Sequence, residues 1–218
     1  MRVKICGITN ADDARTAARA GADAIGLVFA ESPRRVTVPQ ARAIVAALPP
    51  FVTPVGLFVD AQVDFVRQVA GDVGVSVVQL HGDEPGEMID QLAPLRVLKG
   101  IRVRDRSFVD DVRRLSAWRG RGLCGLLLDA FSPDARGGTG KRFDWDLLAG
   151  AHEAGALVDT PPLVLAGGLT PDNVAAAVRR LRPWALDVSS GVESQPGRKD
   201  PDKIERFITQ ARNALNRS

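Results

Sequence analysis

The sequence is poor in the residue types that build disulfide frameworks and metal centres. It contains only 2 cysteines and 2 histidines. The two cysteines, Cys6 and Cys124, are too few for a disulfide framework, which favours a reducing compartment. A catalytic metal usually needs about three protein ligands from one site, so the shortage of histidine argues against a metal centre. We therefore expect neither disulfides nor a bound metal.

Long apolar segments, targeting signals and strong net charge are also missing. No apolar run approaches the ~20 residues that span a bilayer, and the chain enters a predicted strand without the basic-then-apolar pattern of a signal segment. The net charge of +3 is too small to indicate nucleic acid or a membrane as a partner. No Gly/Ser/Pro-rich linker divides the chain. We expect one cytoplasmic domain over residues 1–218.

Eight short runs rich in Val, Ile and Leu are the main feature that is present. Near-continuous apolar runs are typical of parallel strands that are covered on both faces. The runs cover residues 3–8, 24–29, 54–59, 75–80, 97–103, 125–130, 163–166 and 185–188.

A helical pattern follows each run, often with a recognisable helix start. Asn10 begins the first predicted helix and Gly21 ends it. Thr170-Pro171 and Asp200-Pro201 are cap-then-proline signals for the last two helices. Alternating strands and helices of this number predict a single-domain (β/α)8 TIM barrel, an α/β fold. The rival is an open doubly wound sheet, but no Gly-x-Gly-x-x-Gly turn follows the first run.

Reactive and polar side chains stand where the apolar runs stop. Cys6 lies at the end of the first run and Asp129 at the end of the sixth. Gln79 and His81 lie at the end of the fourth run and Asp187 lies in the eighth, and we expect all three to bind the substrate. In this type of barrel the working residues come from the carboxyl ends of the strands. A thiol and a carboxyl across one mouth suggest a base and an acid, which predicts an isomerase.

Glycines and serines follow the last two runs in a pattern that fits a phosphate site. Gly167 and Gly168 alone would be explained by a tight turn. Paired with Ser189, Ser190 and Gly191 after the neighbouring strand, they favour phosphate, because glycine lets backbone N–H groups approach an anion. Basic side chains concentrate in the same loops, and one planar arginine, Arg34 or Arg35, is suited to grip a carboxylate. The basic residues concerned are Arg34, Arg35, Arg136, Lys141, Arg198 and Lys199.

Seven segments in order give the chain a strong resemblance to the phosphoribosylanthranilate isomerase family. They are KICGIT at 4–9, SPR at 32–34, QLHG at 79–82, LD at 128–129, GGTGKRFDW at 137–145, AGGL at 166–169 and DVSSGVE at 187–193. Any one of them is weak, but each stands at its own predicted strand end or in the loop that follows. The resemblance extends from about residue 3 to about residue 207.

The resemblance implies an Amadori rearrangement in tryptophan biosynthesis that needs no cofactor. A phosphorylated aminoaldose, N-(5'-phosphoribosyl)anthranilate, becomes an aminoketose. The residue matching the family's general acid is Asp129, its general base is Cys6, and Arg34 holds the anthranilate carboxylate. A monomer and a homodimer both remain open. We also expect nearby Lys4 to help lower the pKa of the Cys6 thiol, and apolar neighbours to raise the pKa of Asp129.

Three alternative functions remain. A histidine-pathway isomerase runs the same rearrangement, but that family uses two aspartates, one of them at the position of Cys6, and a substrate with two phosphates. A metal-dependent pentose-phosphate epimerase conflicts with the low histidine count. A catalytically inactive barrel used for binding is the third, and intact Cys6, Asp129 and Arg34 argue against it.

Overall fold

Eight parallel strands pair in sequence order and close into a barrel, because the last strand pairs back onto the first. The computed structural model describes residues 1–130 and 145–215. Each predicted run coincides with an observed strand to within two residues at either end, so the predicted TIM barrel is confirmed. The strands are β1 (Arg2–Cys6), β2 (Ala24–Val28), β3 (Thr53–Phe58), β4 (Val77–Leu80), β5 (Arg96–Val103), β6 (Leu123–Ala130), β7 (Leu163–Leu165) and β8 (Ala185–Val188).

Each barrel strand is followed by a helix. The helices are α1 (Ala11–Ala20), α2 (Val38–Ala46), α3 (Val63–Val73), α4 (Glu87–Gln91), α5 (Phe108–Ser116), α6 (Trp145–Glu153), α7 (Val174–Leu181) and α8 (Pro201–Leu215). Asn10 caps α1 by accepting a hydrogen bond from the backbone N–H of Asp13 at 2.8 Å, and Gly21 ends the helix with φ 97°. Asp200 accepts from the N–H of Lys203 at the start of α8. These helix boundaries were predicted.

The start of α7 differs from the prediction. The sequence signal Thr170-Pro171 predicts a helix from residue 171, whereas α7 begins at Val174. Residues 171–173 form a turn instead. The Asn173 side chain accepts from the Thr170 N–H at 2.9 Å and donates to the carbonyl of Gly168 at 2.9 Å. The side chain therefore holds the loop after β7 in place and delays the helix.

The apolar side chains divide into an outer layer and two small interior clusters. Side chains alternate along each strand, so one set packs against the helices and the other points into the barrel. The outer layer includes Ile5, Leu80, Leu128 and Leu186. Inside the barrel, one cluster contains Leu98, Leu127, Val164, Ala166 and Ala185, with Cys124 against it, and the other contains Cys6, Val28 and Leu57.

A short hairpin follows β8 that was not predicted. It consists of β9 (Glu193–Gln195) and β10 (Arg198–Lys199), which pair antiparallel. Its backbone is tied to the loop after β1, because the Thr9 hydroxyl donates to the carbonyl of Gly197 at 2.6 Å. The hairpin thus covers the β1–β8 side of the barrel mouth. Across residues 1–130 and 145–215, none of the helices combines the length and apolar character needed to cross a bilayer.

Candidate active site

The predicted acid and base lie at carboxyl ends of strands in the same barrel mouth. Cys6 is the last residue of β1, and Asp129 is the second-last residue of β6. Two strands, β7 and β8, separate β1 from β6 along the shorter arc of the ring. Cys6 is 5% exposed, and the Asp129 side chain is 13% exposed. Both reactive groups are therefore largely removed from water but not sealed.

Cys6 shares the barrel interior with a buried ion pair. Lys4, two residues earlier on β1, donates to Asp187 on β8 at 2.7 Å, and these side chains are 6% and 10% exposed. Gly26 on β2 leaves room for this group. A Cβ at that position would lie 2.6 Å from the Cys6 sulfur and 3.0 Å from the Lys4 nitrogen. The glycine allows the thiol and the ammonium group to lie side by side.

The expectation of a lowered pKa for Cys6 is wrong for this structure. Burial raises the pKa of the thiol, and the positive charges of Lys4 and Lys199 oppose burial without overcoming it. The negative charge of Asp187 adds to the increase. Because Lys4 is already committed to Asp187, its charge is partly neutralised before it acts on the thiol. Cys6 is therefore a weaker acid than an ordinary cysteine thiol.

Asp129 is the end of a hydrogen-bonded chain of side chains. Its Oδ2 lies 3.2 Å from His81 Nε2, and His81 Nδ1 lies 3.0 Å from Gln79 Nε2. Gln79 is only 1% exposed, so its contact with His81 is shielded from water. Gly100 on β5 makes space for the imidazole, since a Cβ there would lie 2.6 Å from His81 Nδ1. The residues predicted from the fourth strand thus meet the predicted acid.

A second buried ion pair supports the loop that carries His81. Lys99 on β5 donates to Glu84 at 2.9 Å and to the carbonyl of Gly82 at 2.8 Å. Glu84 also accepts from the backbone N–H groups of Gly82 and Asp60. These contacts fix the backbone next to His81. This pair was not predicted, because neither residue stands at a strand end or in a motif.

Arg34 lies in the mouth and Arg35 does not. The Arg34 side chain is 11% exposed and forms a bidentate ion pair with Glu193 of β9, at 2.8 Å and 2.7 Å. Arg35 is exposed, as is Arg198. The hydrogen bonds of Glu193 raise the pKa of Arg34. Of the two arginines that were suggested for gripping a carboxylate, Arg34 is the one that the fold places at the site.

The two candidate phosphate loops are in contact. A Cβ at Gly191 would lie 1.9 Å from the carbonyl oxygen of Leu169, so the loop after β8 can approach the loop after β7 only with glycine there. Gly167 and Gly168 have φ of 82° and 66°, the left-handed region that glycine tolerates. Ser189 and Ser190 lie beside them and are partly exposed. The predicted phosphate residues are therefore brought together at one place. The motif at 137–144, with Arg136 and Lys141, lies outside the described residues.

No group of three or more His, Cys, Asp or Glu side chains suited to a metal occurs within the described ranges. His152 is on α6, where it lines a cavity of about 180 Å³ on the outside of the barrel with Leu128 and Trp184. Both cysteines are free thiols. In the described ranges the mouth thus carries a thiol, a carboxyl group, an imidazole and a guanidinium.

Comparisons with known proteins identify the family of the sequence. Residues 3–210 match the family model described as N-(5'-phosphoribosyl)anthranilate (PRA) isomerase. The curated isomerase of that name from Geobacter sulfurreducens is 51% identical over 213 residues, covering 97% of this chain and 98% of the relative.

Solved structures give the same result. The phosphoribosyl anthranilate isomerase of Thermotoga maritima is 40% identical with a TM-score of 0.85, covering 98% of this chain and 99% of that one. A phosphoribosyl anthranilate isomerase in complex with reduced 1-(o-carboxyphenylamino)-1-deoxyribulose 5-phosphate is 40% identical, with a TM-score of 0.82 and the same coverage. A structure of monomers of the dimeric Thermotoga maritima isomerase is 39% identical, with a TM-score of 0.82 and the same coverage.

Proposed function

We propose a mechanism from the premise that this chain belongs to the N-(5'-phosphoribosyl)anthranilate isomerase family, to which its sequence matches over residues 3–210. The chain is an isomerase that converts an aldose derivative to a ketose derivative in tryptophan biosynthesis. Its substrate is a phosphorylated small molecule. The observation that carries the mechanism is the position of Cys6 and Asp129 at the carboxyl ends of two strands of one barrel.

Asp129 acts as the general acid. It protonates the furanose ring oxygen of N-(5'-phosphoribosyl)anthranilate, and the ring opens to a Schiff base. The hydrogen bonds from Gln79 through His81 to Asp129 are compatible with a protonated Asp129 when the Gln79 amide is rotated by half a turn. His81 Nδ1–H then donates to the amide oxygen, and the Asp129 hydroxyl donates to His81 Nε2. Amide orientation is set by the hydrogen-bond network, so the same three side chains fit Asp129 with or without its proton.

Cys6 acts as the general base. As the thiolate it removes the proton from C2 of the Schiff base, which gives an enolamine that tautomerises to the ketone. The nitrogen of the substrate serves as the electron sink, so no cofactor takes part. A thiol with a raised pKa is a strong base once ionised, and the adjacent Lys4 and Lys199 charges stabilise the thiolate.

The remaining site residues hold the two ends of the substrate. Arg34 grips the anthranilate carboxylate, because a guanidinium presents paired donors to planar anions. Gly167, Gly168, Ser189, Ser190 and Gly191 bind the phosphate with backbone N–H groups and hydroxyls.

Gln79, His81 and Asp187 act through other residues, since Gln79 and His81 lead to Asp129 and Asp187 pairs with Lys4.

The setting of the enzyme is also a proposal. The free thiols of Cys6 and Cys124 support a reducing, cytoplasmic location. We expect one domain that works as a monomer or a homodimer, without nucleic acid or membrane partners. The relatives of known structure include dimeric and monomeric forms, which supports either state.

The test is the loss of anthranilate fluorescence from freshly prepared phosphoribosylanthranilate. We expect fast decay with the wild type and near-total loss of activity in Cys6→Ser and Asp129→Asn. Cys124→Ser is the matched control, because this cysteine packs at the other interior cluster, and it should retain activity. No turnover by the wild type would contradict the assigned substrate, and the histidine-pathway aminoaldose would become the next substrate to test. Activity that survives Asp129→Asn would overturn the assigned acid.

A further inference from the structure

Three buried side chains of alternating charge, Lys199, Glu193 and Arg34, form a hydrogen-bonded series in the barrel mouth. Lys199 donates to Glu193 Oε1 at 2.8 Å, and Glu193 accepts from Arg34 Nε and Nη2. The side chains of Lys199, Glu193 and Arg34 are 0%, 4% and 11% exposed. Burial raises the pKa of Glu193, but hydrogen bonds and charge from Arg34 and Lys199 outweigh burial and lower it overall. Glu193 is therefore a carboxylate at neutral pH. Burial lowers the pKa of Lys199, and the charge and hydrogen bond of Glu193 oppose this change.

The geometry leaves Arg34 suited to a second carboxylate. A guanidinium has five N–H donors in a fixed fork. The bonds to Glu193 occupy the side edge formed by Nε and Nη2, and the end edge formed by Nη1 and Nη2 is a second fork of the same shape. Two cations and one anion leave one positive charge on the three side chains. Lys199 thus offsets Glu193, so that Arg34 keeps its charge for an anion.

Further hydrogen bonds tie Lys199 and Glu193 of this series to neighbouring parts of the barrel mouth. The backbone N–H of Lys199 donates to Asp13 of α1 at 2.9 Å, and Lys203 donates to the carbonyl of Glu193 at 2.8 Å. The Lys199 ammonium also donates to the carbonyl of Ser189 at 3.2 Å, in the candidate phosphate loop.

On the opposite side, the stem of Arg34 rests on Gly7. A Cβ at Gly7 would lie 2.5 Å from Arg34 Cδ, and the φ of 76° also favours glycine. The guanidinium is therefore held from two directions.

We propose that Glu193 and Lys199 are positioning residues that aim the Arg34 guanidinium at the aromatic carboxylate of the substrate. Through the Ser189 carbonyl, Lys199 also sets the distance between the carboxylate and phosphate subsites. This inference rests on the proposed role of Arg34. Its physical basis is that binding energy is gained only when donors are held in the productive direction beforehand.

The experiment compares two substrates. One is phosphoribosylanthranilate, and the other is phosphoribosylaniline, which lacks the carboxylate. For Glu193→Gln we expect KM for the first to rise about tenfold, since charge-assisted orientation is lost, while the kinetics of the second change little. This outcome is opposite to a pure charge effect, because removing an anion beside Arg34 would tighten anion binding. A fall in KM for Glu193→Gln would overturn the proposal.

Lys199→Met removes the other member of the series that holds Arg34. It provides the test if Glu193→Gln fails to fold. We expect the same selective rise in KM for the carboxylate substrate, together with a fall in kcat that is equal for both substrates, because the Lys199 charge also stabilises the Cys6 thiolate. Glu84→Gln is the matched control, because it breaks a buried carboxylate–lysine pair on the β4–β5 side of the mouth. It should affect both substrates by the same factor. An equal rise in KM for both substrates in Glu193→Gln and Lys199→Met would show a merely structural role and overturn the proposal.

Two further results separate this proposal from those it rests on. No turnover of either substrate by the wild type would contradict the proposed function itself. If the wild type turns over both substrates and Arg34→Met raises KM equally for both, Arg34 does not bind the carboxylate. The positioning role of Glu193 and Lys199 would then be overturned as well. Selective loss in Arg34→Met, together with selective loss in Glu193→Gln, supports both.

Discussion

The buried Lys4–Asp187 pair gives a sharp prediction about stability. The two side chains meet at 2.7 Å with 6% and 10% exposure. Lys4→Met removes the cation and leaves Asp187 buried without its main counter-charge. Breaking such a pair from one side costs about 3–5 kcal/mol. For a chain of this length that corresponds to a fall in Tm of about 6–20 °C.

The double variant Lys4→Met/Asp187→Asn shows whether the cost comes from the unpaired charge. Removing both charges should recover most of the loss, with a coupling free energy of at least about 2 kcal/mol in a double-mutant cycle. The assay is chemical denaturation of the wild type, both single variants and the double variant. Arg206→Met is the control, because its pair with Asp172 is 60% and 82% exposed and should be worth less than about 1 kcal/mol.

Two results would refute this reasoning. A cost below about 1 kcal/mol for Lys4→Met would mean that Asp187 is not isolated by burial. A double variant no more stable than the sum of the single variants predicts would mean that the pair is not coupled. The same Lys4→Met protein also tests the thiol, because removing a nearby positive charge should raise the pKa of Cys6 further. An unchanged thiol titration would mean that Lys4 does not influence the pKa of Cys6.

Three other outcomes follow from the site geometry. Gly26→Ala places a methyl group 2.6 Å from the Cys6 sulfur and should abolish most activity, measured by fluorescence decay, while a folded protein persists by circular dichroism; full activity would contradict the packing. Gly100→Ala should displace His81 in the same way and slow turnover. In Cys124→Ser, the rate of alkylation of Cys6 by iodoacetamide should rise with pH. The midpoint of this rise should lie above the ordinary thiol value of ~8.5, because burial raises the pKa of Cys6. A midpoint below that value would contradict the raised pKa.

The barrel could be predicted from sequence because its information is local. Eight apolar runs with helical patterns between them specify alternating strands and helices, and the ends of those runs are also the ends of the strands. Cys6 and Asp129 were found for the same reason, since each is a reactive side chain near the end of a predicted strand. The start of α7 was not found, because the Asn173 side chain competes with the helix for the backbone of the loop.

The supports of the site could not be predicted because they join residues far apart in the chain. Arg34 and Glu193 are separated by 159 positions, and Lys4 and Asp187 by 183. No spacing rule connects such residues before the barrel is closed. The pKa of Cys6 was misjudged for a related reason. The sequence shows that Lys4 is near, but not that Asp187 takes up its charge or that the thiol is buried.

The pairing of β8 with β1 has a consequence for how the protein is made. A nascent chain leaves the ribosome from its N-terminus at about 5–20 residues per second, so β1 waits for nearly the whole chain before its second neighbour arrives. Until then β1 lacks its β8 neighbour, and Lys4 lacks Asp187 as its partner. The finished site therefore exists only after β8 has been synthesised, and a truncated chain that ends before β8 has neither a closed barrel nor the environment that makes Cys6 a weak acid.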